Sequence, residues 1–504
     1  MITSNPVLFN IFKYLGIILF IISIILFCKI ASNATKEKQI SKEYLKGKNK
    51  FLIGSFLSLV VSIDLFTLSY YLNPITSEYF KNAEILAPNF LKILLIIFVA
   101  FVFSSVLYAL MCSFTYYFFL ESSQKNSKKA LVVFLVNLLI FVGTLILYGE
   151  VNSPYLRYPL CNRIYIGTKG ILLVTSYIGY NWAPAPSEGF GIQIAFYALC
   201  ILGGAILALV IGNHKLKLKY GESGLLGNLF LIAFPSGIIG ARAWYVIGNW
   251  ERDGFNRDFM KIFRLSDGGL TIMGASLGII AGLAFLIIMK YVKKKKPYAR
   301  MNYLEVLDML IPLILLAQFT GRWGNFFNNE VHGNLVNESS FMWLPSLIRN
   351  NMSFSSAHTS YSFEDAMLSL SNGKIYLPLF FIEGTINFLG FVFLEYFVAG
   401  FIRNRSINFL EKVKESGNKF KFFIASTLRF ITCEGCTLGY YLVWYGLTRF
   451  FLEPLRDTSF NMGNDNEWSI KSAIIMAILG GAIIVIFGVW QTLRDHNKLS
   501  IKKY

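Results

Sequence analysis

Apolar positions along this chain gather in runs of about twenty residues, each bounded by charged or turn-forming clusters, the period expected of helices that cross a bilayer. The runs predict spans near residues 7–28, 51–72, 90–120, 130–148, 191–211, 225–247, 270–290, 304–324, 377–401, 437–453 and 471–491. The third is long enough to tilt or to extend past the hydrocarbon. The first lacks a cleavage site and is longer than a signal-peptide core, so it is expected to remain as an anchor. A further apolar stretch, 164–180, is interrupted by Gly167, Lys169 and Gly170 and is expected to lie on the outer surface rather than to span. The expected fold class is all-α: a polytopic membrane protein of about 11 transmembrane helices. Four precede a Pro- and Gly-rich linker, 181–191, and seven follow it, giving expected domains of 1–185 and 186–504 with a long external loop at 334–376.

The basic residues set an orientation. Lys36 and Lys38 follow the first run, Lys125 and Lys128 the third, Lys215 and Lys217 the fifth, Lys293 to Lys296 the seventh, Arg403 and Arg405 the ninth, and Lys498 and Lys502 lie in the tail. Every odd-numbered span thus ends in a basic loop, which places those loops in the cytoplasm, the N-terminus outside and the C-terminus inside. Among 504 residues, 55% are apolar and 15% charged, against roughly 25% charged in soluble domains. The net charge of +18 would suit nucleic acid, but its placement in alternate loops and the lack of a DNA- or RNA-binding motif argue against that partner. Cys433 and Cys436 form a CxxC with no second pair to complete a metal site, and read as packing residues or an incidental thiol pair. The four His residues, 214, 332, 358 and 496, are too dispersed for a metal cluster. No internal repeat points to a transporter built on inverted halves.

Polar chemistry enters the spans only after the linker. Tyr197, Arg242 and Tyr245, the Asp267-Gly268-Gly269 turn, Glu383 with Asn387, and Arg449, Glu453 and Arg456 are all expected toward the outer ends of their helices. The densest stretch is GRWGNFFNNEVHG, residues 321–333, after a largely uncharged run. On a helix Arg322, Asn325, Asn329 and Gly333 share one stripe. Such groups at a membrane boundary are costly unless they face protein, water or a polar ligand. Guanidinium forks suit phosphate, and backbone amides at a Gly-Gly helix start suit an anion. The set suggests a lipid phosphate handled at the outer leaflet. Plainer readings stand beside this one: a helix end that has reached water, an intrahelical Arg449–Glu453 pair, and a paired-Gly turn made for packing.

GRWGNFFNNEVHG resembles the signature G-R-x-G-N-F-x-N-x-E-x-x-G of the prolipoprotein diacylglyceryl transferase family. FYALCILGG, GARAWYVI, DGGLTIMGASLG, PLFFIE and YGLTRFFLEPLRD stand around it in the family's order, so that the resemblance covers about 190–491. It implies transfer of the diacylglyceryl group of phosphatidylglycerol to the lipobox cysteine of a prolipoprotein signal peptide, at the outer face of a bacterial cytoplasmic membrane. It implies release of glycerol phosphate and no metal or organic cofactor. Carried over residue by residue, the catalytic set would be Arg322, Asn325, Glu330, Arg449 and Tyr197, with His332 as a candidate. Arg322 and Arg449 would clamp phosphate, Asn325 would hydrogen-bond the headgroup or backbone, and Glu330 would orient an Arg or hold the site open. Arg322, Arg242, Gly268, Gly269, Gly333, Glu453 and Arg456 would contact phosphatidylglycerol.

The sequence departs from the family pattern at Met273, where many members carry His. Met takes no proton, so a mechanism using that His as base does not transfer unchanged. His332, where the signature usually has an aromatic residue, reads either as a replacement base or as a packing residue. Leu377 stands where a His often precedes the Pro. Residues 1–185 lie outside the pattern and suit an assembly, lipid-access or docking module equally well. The rival classes are a transporter, which would line a mid-membrane path with ionisable groups, and a non-catalytic scaffold, for which Met273 is the best support.

Overall fold

In the computed structural model, residues 6–37, 42–73, 88–117, 124–156, 158–168, 170–175, 186, 191–221, 225–251, 255–263, 276–294, 301–355, 372–416, 418–457 and 466–501 are described. The chain is mostly helical. Among the described residues nine helices are long and apolar enough to cross a membrane. This is a multi-pass, all-α membrane protein, as the hydropathy pattern predicts.

Contacts divide the chain into two compact units. One comprises the described residues of Met1–Leu160, Val336–Phe354 and Phe363–Ile375; the other comprises those of Cys161–Leu335, Ser355–Ser362 and Tyr376–Tyr504. In the first unit, α1 (Pro6–Glu37), α2 (Lys42–Leu72), α3 (Phe90–Thr115) and α4 (Gln124–Asn152) follow the first four apolar runs. Their polar contacts are short and neutral. Ser23 and Ser55 exchange hydroxyl-to-carbonyl bonds of 2.8 and 3.0 Å, Ser62 donates to the Gly16 carbonyl at 2.8 Å, and the Tyr71 hydroxyl donates to Asn152 Oδ1 at 2.9 Å. Part of the segment expected as an external loop also belongs to this unit: the backbone N–H and hydroxyl of Ser346 both donate to Glu150.

The second unit begins with strands. β1 (Arg163–Gly167) pairs antiparallel with β2 (Gly170–Val174) on one side and with β3 (Gly191–Ala195) on the other. The interrupted apolar stretch is therefore a hairpin and not a span. The span predicted from 191 starts instead as β3, and its helix, α5 (Phe196–Tyr220), runs nine residues past the expected end, 211. It is followed by α6 (Leu225–Gly248), α7 (Ser276–Ile287, continued by a π-helical turn to Val292) and α8 (Tyr303–Phe327). Between α8 and the next long helix the chain passes through β4 (Leu335–Asn337), a short α9 (Ser346–Asn351), which belongs to the first unit, and β5 (Lys374–Tyr376); α10 (Leu379–Val392, continued as a π-helix to Ile402) follows. α11 (Arg403–Ser416) and α12 (Lys419–Ile431) occupy what reads in sequence as a basic loop; α13 (Cys436–Leu452) and α14 (Glu467–Ile501) close the chain. At 17 residues, α13 falls short of the other spans.

Two interactions hold the site-bearing helices in register. Asp308 near the start of α8 is 3% exposed and accepts from the backbone N–H groups of Gly435 (2.8 Å) and Thr437 (3.2 Å), while Arg403 pairs with it at 2.8 Å. This fixes the start of α13 against α8. Toward the other end, a Cβ on Gly324 would sit 2.6 Å from Tyr197 Cδ2, and one on Gly204 would sit 2.9 Å from the Ala317 carbonyl. Small residues at both positions let α5 and α8 approach backbone to backbone. The ion pairs Lys215–Glu395 and Asp308–Arg403 lie at the opposite ends of these helices, where the sequence reading places the basic residues Lys215 and Arg403.

Candidate active site

α8 delivers Arg322 and Asn325 one turn apart on one face, then stops. The chain leaves the helix through Asn329 (φ 46°) and Val331 (φ 58°). Left-handed backbone is uncommon for Asn and a genuine outlier for a β-branched Val, a conformation that persists only where its surroundings hold it. The holding contacts are visible. The Gly333 N–H donates to the Leu377 carbonyl (3.0 Å), the Leu377 N–H to Asn334 (3.0 Å) and the Asp457 N–H to His332 (3.1 Å). Gly333 also forms a bridge with Arg456. A Cβ on Gly333 would lie 2.6 Å from the Leu455 carbonyl and 2.9 Å from Leu377 Cβ, so this glycine exists to let three chain segments meet. The sequence reading has it contacting substrate; in the fold it is also the junction that brings the end of α8, the start of α10 and the end of α13 to one place.

Around that junction the polar side chains form one connected network. Glu383, on the second turn of α10 and 2% exposed, pairs with Arg322 through one carboxylate oxygen and with Arg456 Nη2 through the other at 3.4 Å. Glu453, 1% exposed, pairs with Arg449 Nη1 at 2.8 Å and lies 3.4 Å from Arg456 Nε. Arg322 Nη1 donates to Asn325 Oδ1 at 3.4 Å, and Asn325 and Asn328 donate to Glu330 at 3.0 and 3.3 Å. At the far side Arg449 Nε donates to the Tyr445 hydroxyl at 3.2 Å. Tyr197 packs on the α8 face at Gly324 and feels the charges of Glu330 and Arg322.

The network has a direction. The carboxylates of Glu383 and Glu453 are sealed at the bottom, while the side chains of Arg322 and Arg449 are 17% and 21% exposed. A guanidinium has five N–H donors, and the bonds above leave some of them unused on both Arg322 and Arg449. Burial raises the pKa of Glu330 above the usual carboxylate range; the Asn325 and Asn328 bonds and Arg322 offset this only in part. Burial, and then the neighbouring Arg449, lowers that of Arg456. Such an arrangement presents fixed positive charge to an anion from a scaffold whose own carboxylates hold the arginines in place.

Among its described contacts, Arg242 donates to the carbonyls of Ile262 (2.9 Å) and Lys261 (2.6 Å), with Tyr245 and Phe255 near its guanidinium. It fastens the end of α6 to the segment that follows. His332 is 1% exposed, with Nδ1 3.0 Å from the Gly333 carbonyl, Nε2 2.6 Å from Ser355 Oγ and its ring against Tyr376. Since a carbonyl only accepts, Nδ1 carries the proton and Nε2 accepts from the Ser355 hydroxyl. Gly268, Gly269 and Met273 lie outside the described residues. Glu383 is the hub; the sequence reading places it with the outer polar set and in the PLFFIE motif but assigns it no role.

Comparison with known proteins meets the same region. A family profile described as prolipoprotein diacylglyceryl transferase matches residues 188–491, which contain every residue of the network. A phosphatidylglycerol–prolipoprotein diacylglyceryl transferase of Clostridium botulinum (strain Langeland) is 32% identical over 308 residues, 61% of this chain and 96% of that relative. Proteins of the same name from Streptococcus uberis and Clostridium novyi are 29% and 28% identical, over 58% and 64% of this chain and 90% and 99% of their own lengths. With its signature turn, its arginine network and three fifths of its length inside that match, the chain belongs to the prolipoprotein diacylglyceryl transferase family.

Proposed function

We propose that this protein transfers the diacylglyceryl group of phosphatidylglycerol to the lipobox cysteine thiol of a prolipoprotein signal peptide. The site faces the outside of a bacterial cytoplasmic membrane, with the N-terminus outside and the C-terminus in the cytoplasm. The observation that carries the reading is that Arg322 on α8, Arg449 on α13 and Arg456 just past the end of α13 are joined through Glu383 and Glu453, with Arg322 and Arg449 on the open side.

The chemistry follows from charge. The cysteine sulfur, once its proton is lost, attacks the glyceryl carbon bonded to phosphate oxygen. A carbon–sulfur bond forms, the carbon–oxygen bond breaks, and glycerol phosphate leaves with the bonding electrons. The phosphodiester has one negative charge and the departing monoester gains a second. Arg322 and Arg449 therefore bind the transition state more tightly than the ground state, which is what accelerates the step. Arg456, deeper and more buried, holds the two carboxylates that aim them. Asn325 orients Arg322 and Glu330, and Tyr197 closes the side toward α5. Both substrates are held in the membrane, so side-by-side binding supplies much of the orientation. In this reading His332 is a positioning residue, and residues 1–185 are an appended membrane module beside a catalytic region of 186–504.

The test uses purified full-length protein, phosphatidylglycerol vesicles and a lipobox peptide, read by mass. The peptide gains a diacylglyceryl group with the wild type and with Lys421→Ala, a change at an exposed position of α12, and gains none with Arg322→Ala. Peptide unmodified by the wild type, or modified equally by Arg322→Ala, refutes the reading.

A further inference from the structure

The charged network stands at one end of α10, and a different set of cations stands at the other. Phe401 follows Glu383 by 18 residues, roughly 27 Å of helix at 1.5 Å per residue, close to the ~30 Å thickness of a bilayer's hydrocarbon. This half of α10 is π-helical from Phe393 to Ile402, a form frequent at functional sites. Its rings make a ladder. Phe393 stacks on Phe397 with centroids 5.6 Å apart, and Phe397 on Phe401 at 5.9 Å. The guanidinium of Arg405, at the start of α11, lies 4.2 Å from the Phe401 centroid and continues the ladder. Arg405, Asn408 and Lys412 follow Phe401 at offsets of four, seven and eleven, which is one helical stripe.

Two grooves meet on this stripe. One, of about 640 Å³, runs along the rings from Leu389 to Phe401 and is lined by aliphatic and aromatic side chains. The other, of about 560 Å³, begins at the same Phe401 and is lined by Arg405, Asn408 and Lys412, with Leu428 of α12 on its far side. No acidic residue lines either groove. Among the described residues neither Arg405 nor Lys412 has a hydrogen-bond or carboxylate partner. Arg403, two residues earlier, is by contrast engaged by Asp308 and by the carbonyls of Thr432 and Cys433. α12 marks the level of the basic groove as a membrane surface. Its Phe420 and Phe423 are exposed beside Lys419 and Lys421, the composition of a helix lying in the headgroup boundary.

We infer that this stripe holds one anionic phospholipid of the leaflet opposite the catalytic site, with its phosphate on Arg405 and Lys412 and one acyl chain along Phe401, Phe397 and Leu389. The lengths agree. Leu389 to Phe401 is at most about 18 Å of helix, against about 15 Å for one leaflet's half of the hydrocarbon. The charge selects the lipid: two unpaired cations attract an anionic headgroup, whereas a zwitterionic one brings a cation of its own. Asn408, between the two cations on the stripe, offers an amide to the headgroup. The orientation proposed above makes this the cytoplasmic leaflet; the binding itself does not depend on the proposed reaction.

The test counts bound lipids by native mass spectrometry. Full-length wild type, the double variant Arg405→Gln with Lys412→Gln, and Lys421→Gln, an exposed lysine outside the groove, are titrated in detergent with phosphatidylglycerol or phosphatidylcholine. The wild type and Lys421→Gln are expected to hold one phosphatidylglycerol more than the double variant, and to hold phosphatidylcholine there about tenfold more weakly. Added glycerol phosphate, which has the charge without the chains, is expected not to displace it. Without lipid the double variant is expected to melt with the wild type, which shows that it folds; phosphatidylglycerol then raises the wild-type melting temperature more than the variant's. Equal counts in the wild type and the double variant, displacement by glycerol phosphate, or phosphatidylcholine held as tightly as phosphatidylglycerol each overturn the inference, the last by showing annular lipid alone. If the catalytic site takes no phosphatidylglycerol, every count falls by one and the proposed function fails, while the difference between wild type and double variant still decides this site.

Discussion

The four helices α1–α4 and the helices that carry the site solve the problem of polar groups among apolar ones in opposite ways. Between α1, α2, α3 and α4 the described side-chain hydrogen bonds join neutral groups, as at Ser23–Ser55, Ser62–Gly16 and Tyr71–Asn152, and none of the described ion pairs falls on these helices. In the site, three arginines and two carboxylates lie within one buried network. A neutral bond contributes about 1 kcal/mol and asks little of its surroundings. A buried charge network rarely stabilises a fold relative to apolar packing. Its presence marks the place where the chain gives up stability for charge held in a fixed geometry, which is the requirement of a site that stabilises a developing phosphate dianion.

The comparison can be broken most severely at the open side of the network. Arg322→Ala is expected to lower the rate of transfer by 10² or more, the size typical for removing a preorganised charge-stabilising donor, as measured by product mass against time. Next comes stability. Glu383→Leu leaves Arg322 and Arg456 without their shared carboxylate and is expected to cost roughly 3–5 kcal/mol. Ser62→Ala in the first unit is expected to cost about 1 kcal/mol. Unfolding midpoints in denaturant for the two variants read the contrast directly, and equal losses would erase it.

Smaller effects sharpen the picture. The folded-state pKa of Glu330 is raised by burial, so its protonated form is favoured by folding. Its contribution to stability is full below the unfolded carboxylate value and is lost as pH rises through the raised folded value. Glu330→Gln removes that loss. The melting-temperature difference between this variant and the wild type should therefore grow as pH is raised from the acid range to neutrality. The smallest effect concerns His332. With both ring nitrogens engaged by Gly333 and Ser355, His332→Gln is expected to keep the shape of the pH–rate profile. Loss of the acid limb would instead make His332 the base.

The spans were legible because hydropathy runs have the length of a bilayer and nothing else in the chain competes with that signal. The hairpin β1–β2 was legible only as a failure to span. α11 and α12 were hidden because their Lys and Arg residues read as loop, although in α12 Phe420, Phe423, Ile424 and Ile431 recur at the spacing of one helical face and mark an amphipathic helix. Within the site, Arg322, Asn325, Glu330, Arg449, Glu453 and Arg456 were legible from their motifs, and the structure places them in one network. Arg242 carried the same type of signal, and its described bonds go to the carbonyls of Lys261 and Ile262. Glu383 was legible as a polar residue near the outer start of its helix but not as a hub, because that role lies in two partners 61 and 73 residues away, a relation that local pattern does not contain. The left-handed Val331 was likewise invisible, since it is imposed by the junction at Gly333, Leu377 and Arg456.

The central claim is that Arg322 and Arg449 act on one phosphate as a single unit, and a double-mutant cycle measures this most directly. Transfer rates are determined for the wild type, Arg322→Ala, Arg449→Ala and the double variant with phosphatidylglycerol and a lipobox peptide. Residues that act as a unit lose nearly all their contribution when either is removed, so the double variant is predicted to be no slower than the slower single variant. Losses that multiply across the two positions would show the arginines acting independently and would contradict the account.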